Sequence, residues 1–304
     1  MRQIICILLC WSQNNWFYQF DCATLSFPFI NDSEIMTSDR VSFKLEQKIA
    51  YITLNRPDKH NGLDKQMIID LVKVAKKINK NNAIRCVILQ GEGASFCAGL
   101  DFNSVAKNPS MIIRFFLKLP WNKDNMFQRV AHIWRDISVP VIAVVHGNCF
   151  GAGMQIILAC DYRVATPDAN LSILEMKWGL IPDMSGMATL SQLTRIDIAQ
   201  ELTMTGRFFS GDEALEYGLV SKISDNPLAE ATLLAEKICQ QSPDAIAATK
   251  YLFKKTWKKG TRMALFWERI TQLRLLGRKN QRIAMKNGLT KTGNKKDFVD
   301  RSSF

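Results

Sequence analysis

Polar and apolar residues alternate from Val41 to Leu45 and again from Ile49 to Leu54, with Glu46-Gln47 between the two runs. Period-two alternation of that length predicts two half-buried strands joined as a hairpin. Asn55-Arg56-Pro57-Asp58 breaks the pattern, since proline lacks an N–H and drives the residue before it out of the helical region. Beyond it the period changes. Met67, Leu71, Val74, Ala75 and Ile78 form one helical stripe, and Asp64 stands where an N-cap would. Cys86 to Leu89 and Pro140 to Val145 are short, wholly apolar runs, ended by Gly91-Glu92-Gly93 and His146-Gly147. Such runs are buried strands, and their alternation with helical stretches predicts an α/β core.

Between these strands, residues 104–137 carry Ile112, Ile113, Phe115, Phe116, Leu117, Trp121 and Trp134 on helical segments. They could wall an apolar pocket or simply fill a core. After Gly186 the chain reads as helical. Ser210-Gly211-Asp212-Glu213 has the form of a capping box, and Gly218 is placed to end that helix before Leu219-Val220. From Leu228 onward long amphipathic helices dominate, and Lys250, Lys254 and Lys258 fall on one face. The polar stretch 291–304 reads as a frayed tail. This divides the chain into a core over 36–226 and a helical region over 227–304. Residues 1–35 stand apart as an N-terminal extension outside the fold, with Met36 as the natural start. The rival reading, a targeting segment, meets an apolar run, Ile4 to Trp11, too short to span a bilayer and followed by no small-x-small cleavage site.

With 304 residues, 47% of them hydrophobic and 22% charged, the chain is long and apolar enough for a large core and is not of disordered type. The formal charge of +12 favours anionic partners without choosing among phosphates, nucleic acid and acidic surfaces. The eight cysteines form no C-x-x-C pair, and with three histidines there is no zinc-type spacing. The five from Cys86 onward read as small buried apolar residues in a reducing, cytoplasmic setting.

The candidate chemistry lies in two glycine turns and two acids. Gly151-Ala152-Gly153 directly precedes the apolar run Met154 to Cys160, a buried helix whose first N–H groups could hold an anion or a developing oxyanion. Ala98-Gly99, before Asp101, could offer a second donor, and two such donors on one oxygen make an oxyanion hole. Either loop alone is explained as a tight turn. A dinucleotide fingerprint is not supported, because Ile156 occupies the place of the third glycine. Glu175 follows Leu171, Ile173 and Leu174 and precedes Trp178, while Asp183 follows Ile181-Pro182. Carboxylates in apolar surroundings have raised pKa values and suit proton transfer. Asp161, before Tyr162-Arg163, reads as an internal ion-pair partner.

Taken together, Ser95-Phe96-Cys97-Ala98-Gly99-Leu100-Asp101, His146-Gly147-x-x-x-Gly151-Ala152-Gly153, Ala159-Cys160-Asp161-Tyr162-Arg163, Gly179-Leu180-Ile181-Pro182 and Thr205-Gly206-Arg207 with Gly218-Leu219-Val220 resemble the enoyl-CoA hydratase/isomerase (crotonase) superfamily. Asn55 to Leu63 resembles the family's early coenzyme-side loop. The resemblance implies a crotonase-type spiral of ββα units with a C-terminal helical trimerisation region, hence a homotrimer or hexamer. It implies an acyl-CoA thioester as substrate, its oxygen held by the N–H groups of Ala98 and Ala152, with no metal or redox cofactor and no membrane. Substrate contacts are implied at Lys59, Asn61, Gly99, Leu100, Asp101 and Gly151. Of the two catalytic glutamates of the family's hydratases, Gln155 aligns with the first and Glu175 with the second. Glutamine can orient a water but cannot accept its proton. The dienoyl-CoA isomerases of the family add an aspartate eight residues beyond the second glutamate, the place of Asp183, but carry an aspartate where Gln155 stands. The expectation is double-bond isomerisation, with hydration as the alternative. From another class comes RNA binding through the Lys250/Lys254/Lys258 face beside Trp257, the least favoured reading.

Overall fold

The computed structural model describes residues 38–107, 109–118, 120–290 and 295–302, all within the unit Met36–Phe304. The reading of residues 1–35 as an extension lies outside them.

Strands β1 (Val41–Glu46) and β2 (Ile49–Leu54) pair antiparallel, with Val41 opposite Leu54 and Glu46 opposite Ile49. The turn is Gln47-Lys48, one residue later than the alternation suggests, with φ values of 45° and 73°. A two-residue turn that follows the strand twist needs positive φ at both positions. Burial of Ile52 and Leu54 fixes the register and overrides the poor turn propensity of Gln and Lys. Helix α1 (Lys65–Lys80) is capped as expected, the Asp64 carboxylate accepting from the Met67 N–H at 2.8 Å.

From there the chain winds between two sheets. β3 (Cys86–Gly91) joins the large sheet and β4 (Ser95–Cys97) the small one, followed by α2 (Phe102–Ala106), α3 (Pro109–Phe116) and α4 (Met126–Asp136). β5 (Val141–Val145) and β6 (Asn148–Phe150) repeat the step before α5 (Ala152–Leu158). β7 (Tyr162–Ala165) and β8 (Asn170–Ser172) repeat it again before a 3₁₀ turn, Leu174–Trp178, and α6 (Gly186–Leu193), α7 (Ile196–Thr205) and α8 (Gly211–Glu216). β9 (Lys222–Ile223) closes the large sheet, whose order is β1-β2-β3-β5-β7-β9, while the small sheet runs β4-β6-β8. Every pair after the hairpin is parallel. Each circuit therefore contributes one strand to each sheet and then a helical stretch, which is the expected spiral of ββα units. Cys86 to Leu89 of β3 and all of β5 are apolar and buried because both faces of a covered parallel sheet are buried. The segment 104–137 divides: Trp134 and Phe115 enter the core, whereas Ile113, Phe116, Leu117 and Trp121 are exposed. Cys86, Cys97, Cys149 and Cys160 are buried free thiols, as their apolar settings suggest.

Four helices follow: α9 (Pro227–Cys239), α10 (Pro243–Thr256), α11 (Thr261–Leu275) and α12 (Lys279–Leu289). The boundary expected at 226/227 is not a structural break. Ala231 and Ala235 of α9 pack in one buried cluster with Ile49, Cys86, Ile88, Ile142, Val144 and Val164, so α9 covers the second face of the large sheet. The tail is also not frayed over residues 295–302. Arg301 donates from its backbone N–H to Asn82 O at 3.1 Å, the Ser302 N–H donates to Asp244 Oδ1 at 2.7 Å, and Arg85 Nη2 reaches Phe298 O at 2.8 Å. No helix of the described residues is long and apolar enough to cross a membrane.

The lysine face of α10 is a structural device. The Lys250 side chain is enclosed, with 8% of it exposed, and donates to Trp134 O at 2.9 Å, Val139 O at 2.8 Å and Asp161 Oδ2 at 2.6 Å, while Lys254 pairs with Asp136 at 3.2 Å. Asp161 is the internal ion-pair partner that its position suggested, and it also accepts from the Val141 N–H at 2.8 Å. Lys250 is thus engaged inside the protein and Lys254 in an exposed ion pair, which leaves Lys258 as the one lysine of the stripe not engaged in these pairs and weakens the reading of that face as an RNA site. Lys250→Ala leaves a carboxylate and two carbonyls without their cation, and is expected to cost about 3 kcal/mol in urea unfolding. A loss below about 0.5 kcal/mol, the range of ordinary surface changes, would contradict this role.

Candidate active site

In the small sheet β4 pairs with β6, and β6 with β8, all parallel, with Cys97 opposite Cys149 and Phe150 opposite Ser172. The three loops that leave the carboxyl ends of these strands are therefore neighbours, the usual place for a site in a parallel sheet. They are 98–101, Gly151-Ala152, and the 3₁₀ turn that carries Glu175.

On the first loop the expected donor is corrected. The Ala98 N–H is already spent on His60 O at 2.9 Å. The next segment makes a parallel bridge with Leu63, which donates to Gly99 O at 2.8 Å and accepts from the Asp101 N–H at 3.0 Å. In extended chain successive N–H groups point to opposite sides. The Leu100 N–H is therefore turned away from Leu63, and it has no hydrogen bond among the described residues. Sequence reasoning named Leu100 as a substrate contact but missed it as the free donor, because the choice between 98 and 100 depends on where His60 lies. Two further expectations change. Asn61 is fully buried and saturated, donating to Glu92 O at 2.9 Å and Ser95 O at 2.7 Å while its Oδ1 accepts from the Arg56 N–H at 2.8 Å. Asp101 caps α2 through the Ser104 N–H at 3.1 Å and pairs with Arg56 at 2.8 Å. Both side chains hold loops in place and are not free to bind a substrate. Lys59 is exposed.

On the second loop Gly151 has φ 48°, and a side chain there would come within 3.4 Å of Glu175 Oε1. The turn therefore lies against the acid. Ala152 is the first residue of α5 and its N–H has no partner among the described residues, as the geometry of a helix start requires. A side chain at Gly99, where φ is 96°, would sit 3.7 Å from Ala152 N. Both glycines leave space that the two free N–H groups can use.

Glu175 is held on one side only. Gln155, buried on α5, donates from Nε2 to Glu175 Oε1 at 2.5 Å, and its own Oε1 accepts from the Gly186 N–H at 3.0 Å. Those bonds fix the amide orientation and engage both of its ends. Glu175 Oε2 is buried without a hydrogen-bond partner among the described residues. Burial pushes the Glu175 carboxyl above the ordinary glutamate range, the charge of Asp183 adds to this, and the Gln155 hydrogen bond only partly opposes it. Asp183 is half-buried and its carboxyl is likewise raised by burial. The arrangement is a buried proton acceptor with a second acid whose field it feels, beside two unspent backbone donors.

Among the described residues Asp124, His132 and Asp136 also cluster tightly enough to invite a cation. Arg129 lies 3.1 Å from Asp124 and 3.2 Å from Asp136, and Lys123 and Lys254 reach Asp136 at 2.5 and 3.2 Å. The acids already have their counter-charges, and the cluster is an ion-pair knot that ties α4 to α10.

The chain matches the family model described as enoyl-CoA hydratase/isomerase over residues 44–300. (E)-benzylidenesuccinyl-CoA hydratase of Thauera aromatica is 32% identical over 219 residues, which is 69% of this chain and 80% of that protein. The mitochondrial Delta(3,5)-Delta(2,4)-dienoyl-CoA isomerase of Dictyostelium discoideum is 32% identical over 212 residues, 66% of this chain and 71% of that protein. A crystal structure of enoyl-CoA hydratase from Bacillus anthracis superposes with a TM-score of 0.75 at 27% identity, over 82% of this chain and 95% of that one. By sequence match, fold and the convergence of its three loops, this chain belongs to the enoyl-CoA hydratase/isomerase family.

Proposed function

We propose that this protein moves a double bond within an unsaturated acyl-CoA thioester, by proton transfer through a stabilised enolate. The observation that carries the reading is Glu175, whose one oxygen is held by Gln155 while the other is buried and unpartnered. The thioester oxygen sits between the N–H groups of Leu100 and Ala152, which replace the Ala98–Ala152 pair expected from the sequence. Loss of a proton from the carbon next to the thioester puts negative charge on that oxygen, where preorganised donors stabilise it. Glu175 Oε2 takes this proton. Asp183 carries the second transfer, at the far end of the conjugated system. Lys59, exposed after Pro57, is the cation assigned to the coenzyme's phosphates.

Gln155 favours isomerisation over hydration. Hydration needs a group that takes a proton from water, and both ends of this amide are occupied by Glu175 and Gly186. The identity to a dienoyl-CoA isomerase supports the same reading. The equal identity to a hydratase keeps hydration as the alternative. A panel of enoyl- and dienoyl-CoA thioesters, with products resolved by mass and double-bond position, separates the two, since hydration alone adds a water.

Gln155→Glu is expected to create or raise hydration of a 2-enoyl-CoA thioester. It places a second carboxylate against Glu175, which raises one of the two pKa values and lowers the melting temperature at neutral pH. If the wild type already hydrates such a thioester rapidly and the variant adds nothing, Asp183 is the partner of Glu175 in hydration and the isomerase reading fails.

We further propose that the C-terminal helices meet other copies of the chain. Phe253, Trp257, Leu265, Phe266 and Leu273 on α10 and α11 are exposed, an apolar area of the kind that marks subunit contacts. Light scattering is expected to give a trimer or hexamer, and a monomer at micromolar concentration would contradict this.

A further inference from the structure

The 3₁₀ turn that presents Glu175 ends at Trp178. In such a turn residues three apart eclipse one another, so the indole stands on the same face as the catalytic acid, one turn further along. Across from it Phe102, the first residue of α2, follows Leu100, the residue with the free N–H, by two positions. The Phe102 and Trp178 rings meet with centroids 4.4 Å apart and planes 33° from parallel. One ring thus comes from the helix that follows the Leu100 loop and the other from the turn that carries Glu175. The pair is not buried. Trp178 is 52% exposed and Phe102 is partly exposed. Beside them, a side chain at Gly179 would meet no atom within 4 Å, so the space is open. The Lys177 ammonium lies 5.7 Å from the Trp178 ring centre, which adds a cation to the ring surface without covering it with apolar atoms.

We propose that Phe102 and Trp178 form an aromatic platform for the acyl group, one that favours aryl or otherwise flat conjugated acyl chains over flexible alkyl chains. This rests on the reading of the site as a thioester site. With the carbonyl held between Leu100 and Ala152 and the adjacent carbon at Glu175, the next surface along the Glu175 turn is the ring pair. An alkyl chain gains there only from apolar area and loses rotamer freedom when it is ordered. A flat ring loses little freedom and adds the favourable geometry of aromatic contact.

The test is equilibrium binding of three ligands, free coenzyme A, nonanoyl-CoA and 3-phenylpropanoyl-CoA, to the wild type, Trp178→Leu, Trp178→Phe and Phe102→Leu. Both thioesters are saturated beside the carbonyl, so the result does not depend on which reaction the site performs. Failure of the isomerase reading would appear in product analysis and leave this result standing. Trp178→Leu is expected to weaken the phenyl thioester by about three- to tenfold. Nonanoyl-CoA and free coenzyme A should stay within about twofold, because leucine still offers an apolar contact to an alkyl chain and free coenzyme A has no acyl group to lose. Trp178→Phe should restore most of the phenyl affinity, and Phe102→Leu should act in the same direction as Trp178→Leu. Equal weakening of both thioesters would make the pair ordinary apolar surface. Equal weakening of free coenzyme A would assign the platform to the nucleotide, and no weakening at all would remove it from the site. Each of these three results overturns the proposal.

Discussion

Glu175→Gln is expected to lower kcat by about 10²–10⁴, the usual range for loss of a general acid or base. Thioester affinity should be nearly unchanged, because the amide keeps the shape of the carboxyl group and the free N–H groups of Leu100 and Ala152 are untouched. The burial that raises the Glu175 pKa gives the prediction a pH signature. Glu175 must be ionised to take a proton, so kcat/KM falls as pH drops through its pKa in the free enzyme. That acidic limb should lie above the ordinary glutamate value of about 4.3 and disappear in the variant. Stability runs the other way. A carboxyl whose pKa is raised on folding contributes stability that is fully present below its unfolded value and is lost as pH rises through its folded value. At neutral pH the ionised Glu175 is therefore a burden, and the variant should melt at or above the wild-type temperature, with the advantage gone near pH 4. Near-wild-type turnover on a confirmed substrate would remove Glu175 from the mechanism. A large fall in melting temperature would mean that lost activity reports misfolding.

Ala152→Pro is expected to cost kcat about 10²–10³, the range for removing one oxyanion donor. The position makes this a selective deletion. Ala152 opens α5, where its N–H has no helical partner and where proline is tolerated. Ala152→Gly keeps the N–H and should be far milder. Equal losses in the two variants, with unchanged circular dichroism, would count against a donor at this place. Thioester affinity should fall less than kcat, since the charge on the oxygen is greatest in the transition state.

Much of this site could be read before the fold was known, and the part that could not has a common cause. Glycines that permit a tight strand-to-helix turn are a local property, and so are the Asp64 cap and the apolar setting of Glu175. Each is carried by residues close together in sequence. The donor on the first loop is different. Ala98 and Leu100 look alike in sequence, and only the approach of His60 O decides which N–H is consumed. Asn61 and Asp101 are polar residues beside a site, and nothing local reveals that Glu92, Ser95 and Arg56 have already engaged them. The same holds for Lys250, whose partners Trp134, Val139 and Asp161 lie far away in the chain. A lysine stripe on a helix has the same pattern whether it faces water or a buried carboxylate. The tail misled for a similar reason, since its polar composition suggests solvent while its backbone is pinned by Asn82, Asp244 and Arg85.

The central claim is that Glu175 moves a proton on carbon and does not add water. The most direct measurement is mass and double-bond analysis of the product formed from a 3-enoyl- or 3,5-dienoyl-CoA thioester in deuterated water. An isomer with the double bond displaced, gaining no more than one deuteron per transferred proton, is the predicted product, and its formation should collapse in Glu175→Gln. No displacement of the double bond in that substrate, together with rapid addition of one molecule of heavy water to the matching 2-enoyl-CoA thioester, which alone can add water directly, would contradict the account.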